Sequence, residues 1–119
     1  CALARLNAKM GKARNYHVRR GDAAEIITNS LTSVKTGDFA DKYRSIILDP
    51  PRAGIDDDMR KFLCDVKIPE ILYISCNPHT QERDVSQLCS KGGYKIVKIA
   101  PFDMFPQTFH IENIIKLVQ

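Results

Sequence analysis

The sequence predicts an α/β fold, in which a mostly parallel sheet ends in an antiparallel hairpin. Two observations predict it. Apolar runs rich in β-formers alternate with helix-spaced segments as far as residue 100, which is the pattern of βαβ units. The last two apolar runs are joined by a loop too short for a helical crossover, so these two strands should pair antiparallel.

The first half of the chain begins with apolar residues spaced for one helix face, which predict a helix at residues 2–11 that Gly11 can end. Residues 16–19 are a short run typical of a strand. Asp22 can cap the helix predicted at residues 23–34.

The rest of the chain continues the alternation. A polar loop around residues 36–38 leads to an apolar run at residues 45–49, which predicts a buried strand closed by two prolines. The opening acids of the helix predicted at residues 56–66 suit its N-terminal dipole. The remaining predictions are a helix at residues 80–90 and strands at residues 70–75, 94–100 and 109–117.

Composition limits the classes of function. The 119 residues suit at most one domain, no apolar run is long enough to span a membrane, and the first residues do not read as a signal peptide. The four cysteines are scattered without a CxxC pair, which argues against a zinc site. Their even number would permit disulfides, but the α/β pattern fits a reducing, intracellular setting better. Because the chain lacks an initial methionine and enters a helical pattern at once, we expect a piece of a longer polypeptide.

The net charge of +4 is a mild basic bias that is compatible with a nucleic-acid partner. Much of the positive charge lies near the start of the chain. Either a solvated helix face or an RNA-binding patch would explain this cluster. Its members are Lys9, Lys12, Arg14, Arg19 and Arg20.

Cys76 stands where a strand should end. The run at residues 70–75 precedes it, and Asn77-Pro78 stops the strand because proline has no ladder donor. Open α/β sheets bind ligands at the carboxyl ends of their strands, so a thiol there is a candidate nucleophile. The alternative is a small buried cysteine with no chemical role.

Carboxylates occupy two other predicted strand ends. Asp49 closes an apolar strand before a Pro-Pro pair and should point into the ligand crevice, unless it is a turn or capping residue. Asp22 follows a strand at a Gly-Asp turn and is more simply structural.

A third cluster lies at the start of the last predicted strand, where His110 and Glu112 should share one face. Glu112 near Cys76 could be a general base or a solvated glutamate. A Cys–His hydrolase pair has no supporting signature in the rest of the sequence.

Taken together, these motifs resemble the RNA uracil-5-methyltransferase family, whose members make 5-methyluridine in tRNA and ribosomal RNA with S-adenosylmethionine. The motifs occur in the family's order, and the similarity covers nearly the whole chain, with residues 28–43 the least family-like. The matching residues are Leu48-Asp49-Pro50-Pro51-Arg52-Ala53-Gly54, Tyr73-Ile74-Ser75-Cys76-Asn77-Pro78, Thr80, Arg83-Asp84, Gly93-Tyr94 and Asp103-Met104-Phe105-Pro106-Gln107-Thr108 with His110 and Glu112.

The resemblance implies a class I methyltransferase sheet and a covalent mechanism. Cys76 would be the nucleophile that adds to C6 of uracil, and Glu112 the general base that removes the C5 proton. Asp49 and, less directly, Asp22 would bind the cofactor S-adenosylmethionine, and the partner would be tRNA or rRNA with the target base flipped out. Arg52 would hold either the active-site loop or an RNA phosphate.

The resemblance also implies what lies outside this sequence. The family's glycine-rich cofactor loop, its ribose-binding acid and its upstream RNA-binding domain have no counterpart here. We therefore expect residues 1–119 to be the C-terminal portion of the catalytic domain, inactive and weak in cofactor binding when isolated. A non-catalytic RNA-binding fragment is the alternative from another class, whereas a cysteine hydrolase would not explain residues 103–108.

Overall fold

The computed structural model describes residues 1–31 and 43–119. The predicted loop at residues 36–38 and the end of the helix predicted at residues 23–34 lie outside the described residues. In this part of the chain the helices are α1 (Ala2–Met10), α2 (Ala23–Leu31), α3 (Asp57–Val66) and α4 (Pro78–Gly92), and the strands are β1 (Ser45–Leu48), β2 (Glu70–Ser75), β3 (Lys95–Phe102) and β4 (Glu112–Val118).

The four strands form one mixed sheet in the order β1-β2-β4-β3. The predicted antiparallel pairing of the last two strands is confirmed, from Lys95 opposite Val118 to Phe102 opposite Glu112. The expectation of a mostly parallel sheet is wrong for the described strands, because only β1 and β2 pair in parallel. The reason is that β4 inserts between β2 and β3 and pairs antiparallel with both.

Three predicted elements differ from the structure. Residues 16–19 form no strand, because no described strand pairs with them and a ladder needs a partner. The sequence predicts a buried β1, yet Ile47 is 66% exposed, because β1 is an edge strand and Ile47 lies on the sheet face opposite the buried Leu48. The last strand begins at Glu112 rather than at Phe109.

Residue types at the helix ends explain where the helices begin and end. The Asp56 carboxylate accepts from the Met59 N–H at 2.7 Å and caps α3. Asn77 caps α4, whose first residue is a proline, and Gly93 ends α4 in a left-handed conformation at φ 77°. Asp22 caps α2 as predicted, because its Oδ1 accepts from the Glu25 N–H at 2.9 Å.

The core lies between one face of the sheet and the helices α3 and α4. Along β2 the buried residues alternate with partly exposed ones, so one face of the strand is turned to the helices. The fully buried apolar residues of the core are Leu63, Ile68, Ile71, Leu88 and Leu117.

A buried carboxylate joins these elements. The side chain of Asp84 on α4 is fully buried, and its Oδ2 accepts from the Tyr73 hydroxyl at 2.7 Å and from the Ile55 N–H at 2.9 Å. Its Oδ1 accepts from Nη1 of Arg60 at 2.6 Å and from Nε and Nη2 of Arg83 at 2.9 Å and 2.8 Å. A buried charge is tolerated only with such partners, so this network fixes α3, α4, β2 and the loop before α3 relative to one another.

Gly54 packs directly against this carboxylate. It has φ 83°, and a Cβ there would lie 2.3 Å from Oδ2 of Asp84. A side chain at this position would therefore be strained and would also displace the buried network.

We expect Gly54→Ala to lower the free energy of unfolding by at least about 3 kcal/mol, the cost of disturbing a buried ion pair. The matched control is Gly93→Ala, because Gly93 has a similar φ of 77° and nothing within 4 Å of the added Cβ. The control should lose only the conformational term of ~1 kcal/mol. Urea denaturation of the two variants measures the difference, and equal losses would contradict the role given to Asp84.

Candidate functional site

A cavity of about 440 Å³ lies where β1 and β2 end and β4 begins. This size is in the range of small-molecule sites. The lining is mainly apolar and includes two carboxylates. Its residues are Asp49, Ile74, Phe102, Met104, Phe105, Glu112 and Ile114. Two of the predicted site residues, Asp49 and Glu112, therefore meet at one cavity.

Cys76 directly follows the last residue of β2 and is half-buried. Ser75 is opposite Asn113 in the antiparallel pair of β2 and β4. Cys76, one residue after Ser75, is therefore directed towards Glu112, one residue before Asn113. Alternation along a strand puts Ile74, a cavity residue, and Cys76 on the same side. Cys76 does not itself line the cavity, whereas Ile74 and Glu112 do.

The turn that carries Cys76 is fixed by its two neighbours. The Ser75 hydroxyl donates to the Asn77 carbonyl oxygen at 3.2 Å, and the Asn77 N–H donates back to Ser75 Oγ at 3.1 Å. Oδ1 of Asn77 accepts from the His79 N–H at 3.2 Å, which begins α4. The thiol is thus held between a strand end and a capped helix.

Gln81 joins the ends of β2 and β4, a role that the sequence motifs did not predict. Its side chain is fully buried, and Nε2 donates to the carbonyl oxygens of Tyr73 at 2.9 Å and Asn113 at 3.1 Å. Oε1 accepts from Nδ2 of Asn113 at 2.7 Å. The signal in the sequence was a polar residue on the same helix stripe as Val85 and Leu88, where an apolar residue is the rule.

Arg52 contacts the segments that flank both candidate catalytic residues. Its carbonyl oxygen accepts from Nδ2 of Asn77 at 3.0 Å and from the Thr80 hydroxyl at 2.9 Å, next to Cys76. Its Nη2 lies 2.8 Å from Nδ1 of His110, two residues before Glu112. Because arginine is only a donor, Nδ1 of His110 is the acceptor in this contact.

We expect Arg52→Gln to loosen the segment before β4 while the core stays intact. Loss of an exposed hydrogen bond worth ~1 kcal/mol should raise amide exchange at residues 108–112 about fivefold. Hydrogen exchange followed by mass spectrometry measures this, with the exposed Arg44→Gln as control. Unchanged exchange in the Arg52 variant would mean that the contact with His110 does not order this segment.

The other predicted site residues have different places. Oδ1 of Asp22 caps α2, and Asp22 does not line the cavity. The expectation that His110 and Glu112 share a strand face is wrong, because β4 begins only at Glu112. His110 precedes the strand and lies against the Phe109 ring, with centroids 4.3 Å apart.

The described cysteines form no disulfide. Burial raises the pKa of the Cys64 and Cys89 thiols, which disfavours their thiolates. Within residues 1–31 and 43–119, no cluster of three or more His, Cys, Asp and Glu side chains could hold a metal ion. No helix in the described part of the chain is long and apolar enough to cross a membrane.

Comparisons with known proteins give the class first. The chain is 37% identical over 119 residues to a protein of Porphyromonas gingivalis named an uncharacterized RNA methyltransferase, covering 98% of this chain and 24% of the relative. A Listeria monocytogenes protein with the same description is 38% identical over 114 residues, covering 96% and 23%. These relatives are RNA methyltransferases by name, and the chain spans about a quarter of their length.

The family follows from a broader match. The sequence fits the family described as tRNA (uracil-5-)-methyltransferase over residues 2–119. The chain belongs to this family. A solved structure, the tRNA (uracil-54, C5)-methyltransferase of Pyrococcus abyssi in complex with S-adenosyl-L-homocysteine, is similar with a TM-score of 0.58 and 45% identity, covering 63% of this chain and 18% of that one.

Proposed function

We propose that this chain is part of an enzyme that transfers a methyl group from S-adenosylmethionine to C5 of a uridine in tRNA or rRNA. The observation that carries the proposal is the convergence of Cys76 and Glu112, which the pairing of Ser75 with Asn113 brings to adjacent strand ends. Membership of the family and the S-adenosyl-L-homocysteine in the Pyrococcus abyssi structure support it.

The need for a nucleophile follows from the substrate. Uracil C5 is too weakly nucleophilic to accept a methyl group unaided, so the Cys76 thiolate forms a bond to C6 and passes electron density to C5. S-adenosylmethionine supplies an electrophilic methyl group. Glu112 then takes the proton from the methylated C5, and the electron pair left on C5 re-forms the C5–C6 double bond as the Cys76–C6 bond breaks.

The cavity suits these partners. Its apolar lining from Ile74, Phe102 and Ile114 matches flat rings, and the carboxylates of Asp49 and Glu112 match a positively charged sulfonium. We assign Asp49 to cofactor binding on this ground. The assignment of Asp22 to cofactor binding rests on the family resemblance alone. In the structure, Oδ1 of Asp22 caps α2.

Residues 1–119 are, on this proposal, the C-terminal portion of a class I methyltransferase domain. The described cavity offers carboxylates and apolar side chains for the cofactor, but no glycine-rich loop is among its lining residues. The remaining contacts would come from another part of the polypeptide.

We therefore expect the isolated 119-residue chain to show no micromolar binding of S-adenosylmethionine in isothermal titration. The full-length protein that contains this chain is the positive control and should bind. S-adenosylhomocysteine is a second titrant that tests the adenosine part without the sulfonium charge. Micromolar binding by the isolated chain would contradict the assignment as an incomplete domain.

The covalent step has a direct test in the full-length protein that contains this chain. Fluorine at C5 cannot leave as a proton, so RNA with 5-fluorouridine and S-adenosylmethionine should form an adduct that survives denaturing electrophoresis. Cys76→Ala should abolish this adduct. Glu112→Gln should accumulate a methylated adduct on ordinary RNA, because removal of the C5 proton precedes release.

The matched controls for Cys76→Ala are Cys64→Ala and Cys89→Ala, which remove thiols that burial keeps protonated. Both controls should still form the adduct. An adduct that persists in Cys76→Ala, or none in the unaltered protein, would refute the covalent mechanism.

A further inference from the structure

The positive charge of the chain is segregated at its start. Residues 1–21 contain six lysines and arginines and no aspartate or glutamate, whereas the whole chain has 18 of the former and 14 of the latter. The rest of the chain therefore has an excess of acids, although the net charge is +4. Such segregation produces a local positive field that a uniform surface would lack.

The turn after α1 brings these cations together. Lys12 adopts a left-handed conformation with φ 54°, its N–H donates to the Lys9 carbonyl oxygen at 3.2 Å, and the Ala13 N–H donates to that of Ala8 at 2.9 Å. The left-handed residue is thus Lys12 and not Gly11, which has φ −77°. This pair of bonds reverses the chain direction at the helix end.

The segment after the turn is hydrogen-bonded to α1. Nη2 of Arg5 donates to the Val18 carbonyl oxygen at 3.2 Å. Between α1 and the segment that follows it lies a groove with a volume of about 550 Å³, which we call the α1 groove. It is lined by Arg5, Ala8, Lys9, Lys12, Ala13, Arg14 and Tyr16.

Among the described residues, four cations and no carboxylate line the α1 groove. A helix C-terminus favours the positive charge of Lys9 and Lys12 through its dipole. The dipole of α1 does not explain the positions of Arg14, which follows the turn, and of Arg5, which lies one helical turn before Lys9. Four like charges around one concavity repel each other, and an anion in the groove would relieve that repulsion.

We propose that the α1 groove binds the phosphate backbone of RNA. Arg5, Lys9, Lys12 and Arg14 contact phosphates, and Tyr16, which is 54% exposed, stacks on an unpaired base. The identification of the polyanion as RNA rests on the proposed function. The groove is separate from the cavity of Asp49 and Glu112 in its lining residues, so binding there holds the substrate rather than the target base.

The test measures RNA affinity without cofactor in the full-length protein that contains this chain. The variant is Lys9→Gln/Lys12→Gly/Arg14→Gln, in which glycine preserves the left-handed turn and Arg5 keeps its bond to Val18. The control is Lys91→Gln/Lys95→Gln/Lys98→Gln, which removes the same charge from exposed positions on α4 and β3. Circular dichroism checks that both variants are folded.

Fluorescence anisotropy with a labelled, unmodified tRNA transcript gives the dissociation constant at several KCl concentrations. Each phosphate contact contributes ~0.7–0.9 to the slope of log affinity against log salt, so the groove variant should have a slope shallower by about 2. The control should keep the slope of the unaltered protein.

A slope that is unchanged, or that changes equally in the groove variant and the control, would overturn the proposal. In the first case the α1 groove faces something other than RNA, such as an acidic protein surface. The result does not depend on catalysis. A protein that fails to form the 5-fluorouridine adduct but shows the expected slope change would reject the methyl-transfer mechanism and retain the RNA-binding groove.

Discussion

The buried carboxylate of Asp84 holds α3, α4, β2 and the loop before α3 in one arrangement. It joins the Tyr73 hydroxyl on β2, the Arg60 guanidinium on α3 and the Ile55 amide after β1 within one hydrogen-bonded network. Burial, reinforced by the bond to Asp84, raises the pKa of Tyr73, so the hydroxyl remains a donor. Removing any of these donors would leave the buried Asp84 carboxylate with fewer partners, which is costly. Because each donor comes from a different element, the network holds the helices, the sheet and the loop in place relative to one another.

This network also determines where the candidate site lies. By fixing the loop that contains Gly54, it places the Arg52 carbonyl oxygen against the side chains of Asn77 and Thr80 at the start of α4. Gln81, one turn before Asp84 on the same helix, ties the end of β2 to Asn113 on β4. The turn of Cys76 is therefore set by hydrogen bonds that run from the buried side chains of Asp84 and Gln81 to the exposed contacts of Asn77 and Thr80 with the Arg52 carbonyl oxygen.

The sequence predicted the parts of this arrangement that depend on local chemistry. Proline at position 78 stops β2, and this alone places Cys76 at a strand end. The strand predicted at residues 16–19 was wrong because strand formation depends on a neighbour, which no local pattern encodes. The partners of Gln81 lie up to 32 residues away, so its role could not be predicted either, although a polar residue on an apolar helix stripe was a visible signal. The contact of Arg52 with His110 spans 58 residues and is equally non-local.

The two proposed sites make opposite physical demands on the protein, and their locations follow from this difference. A thiol that forms a bond to one ring carbon needs a fixed backbone, so Cys76 lies between a paired strand and a capped helix beside the core. A phosphate backbone is recognised through charge density and tolerates small displacements, so it needs no buried support. The helix α1 contributes no buried residue and still lines the α1 groove with cations. The proposed nucleophile thus has the more rigid surroundings, and the proposed polyanion groove has the concentrated charge.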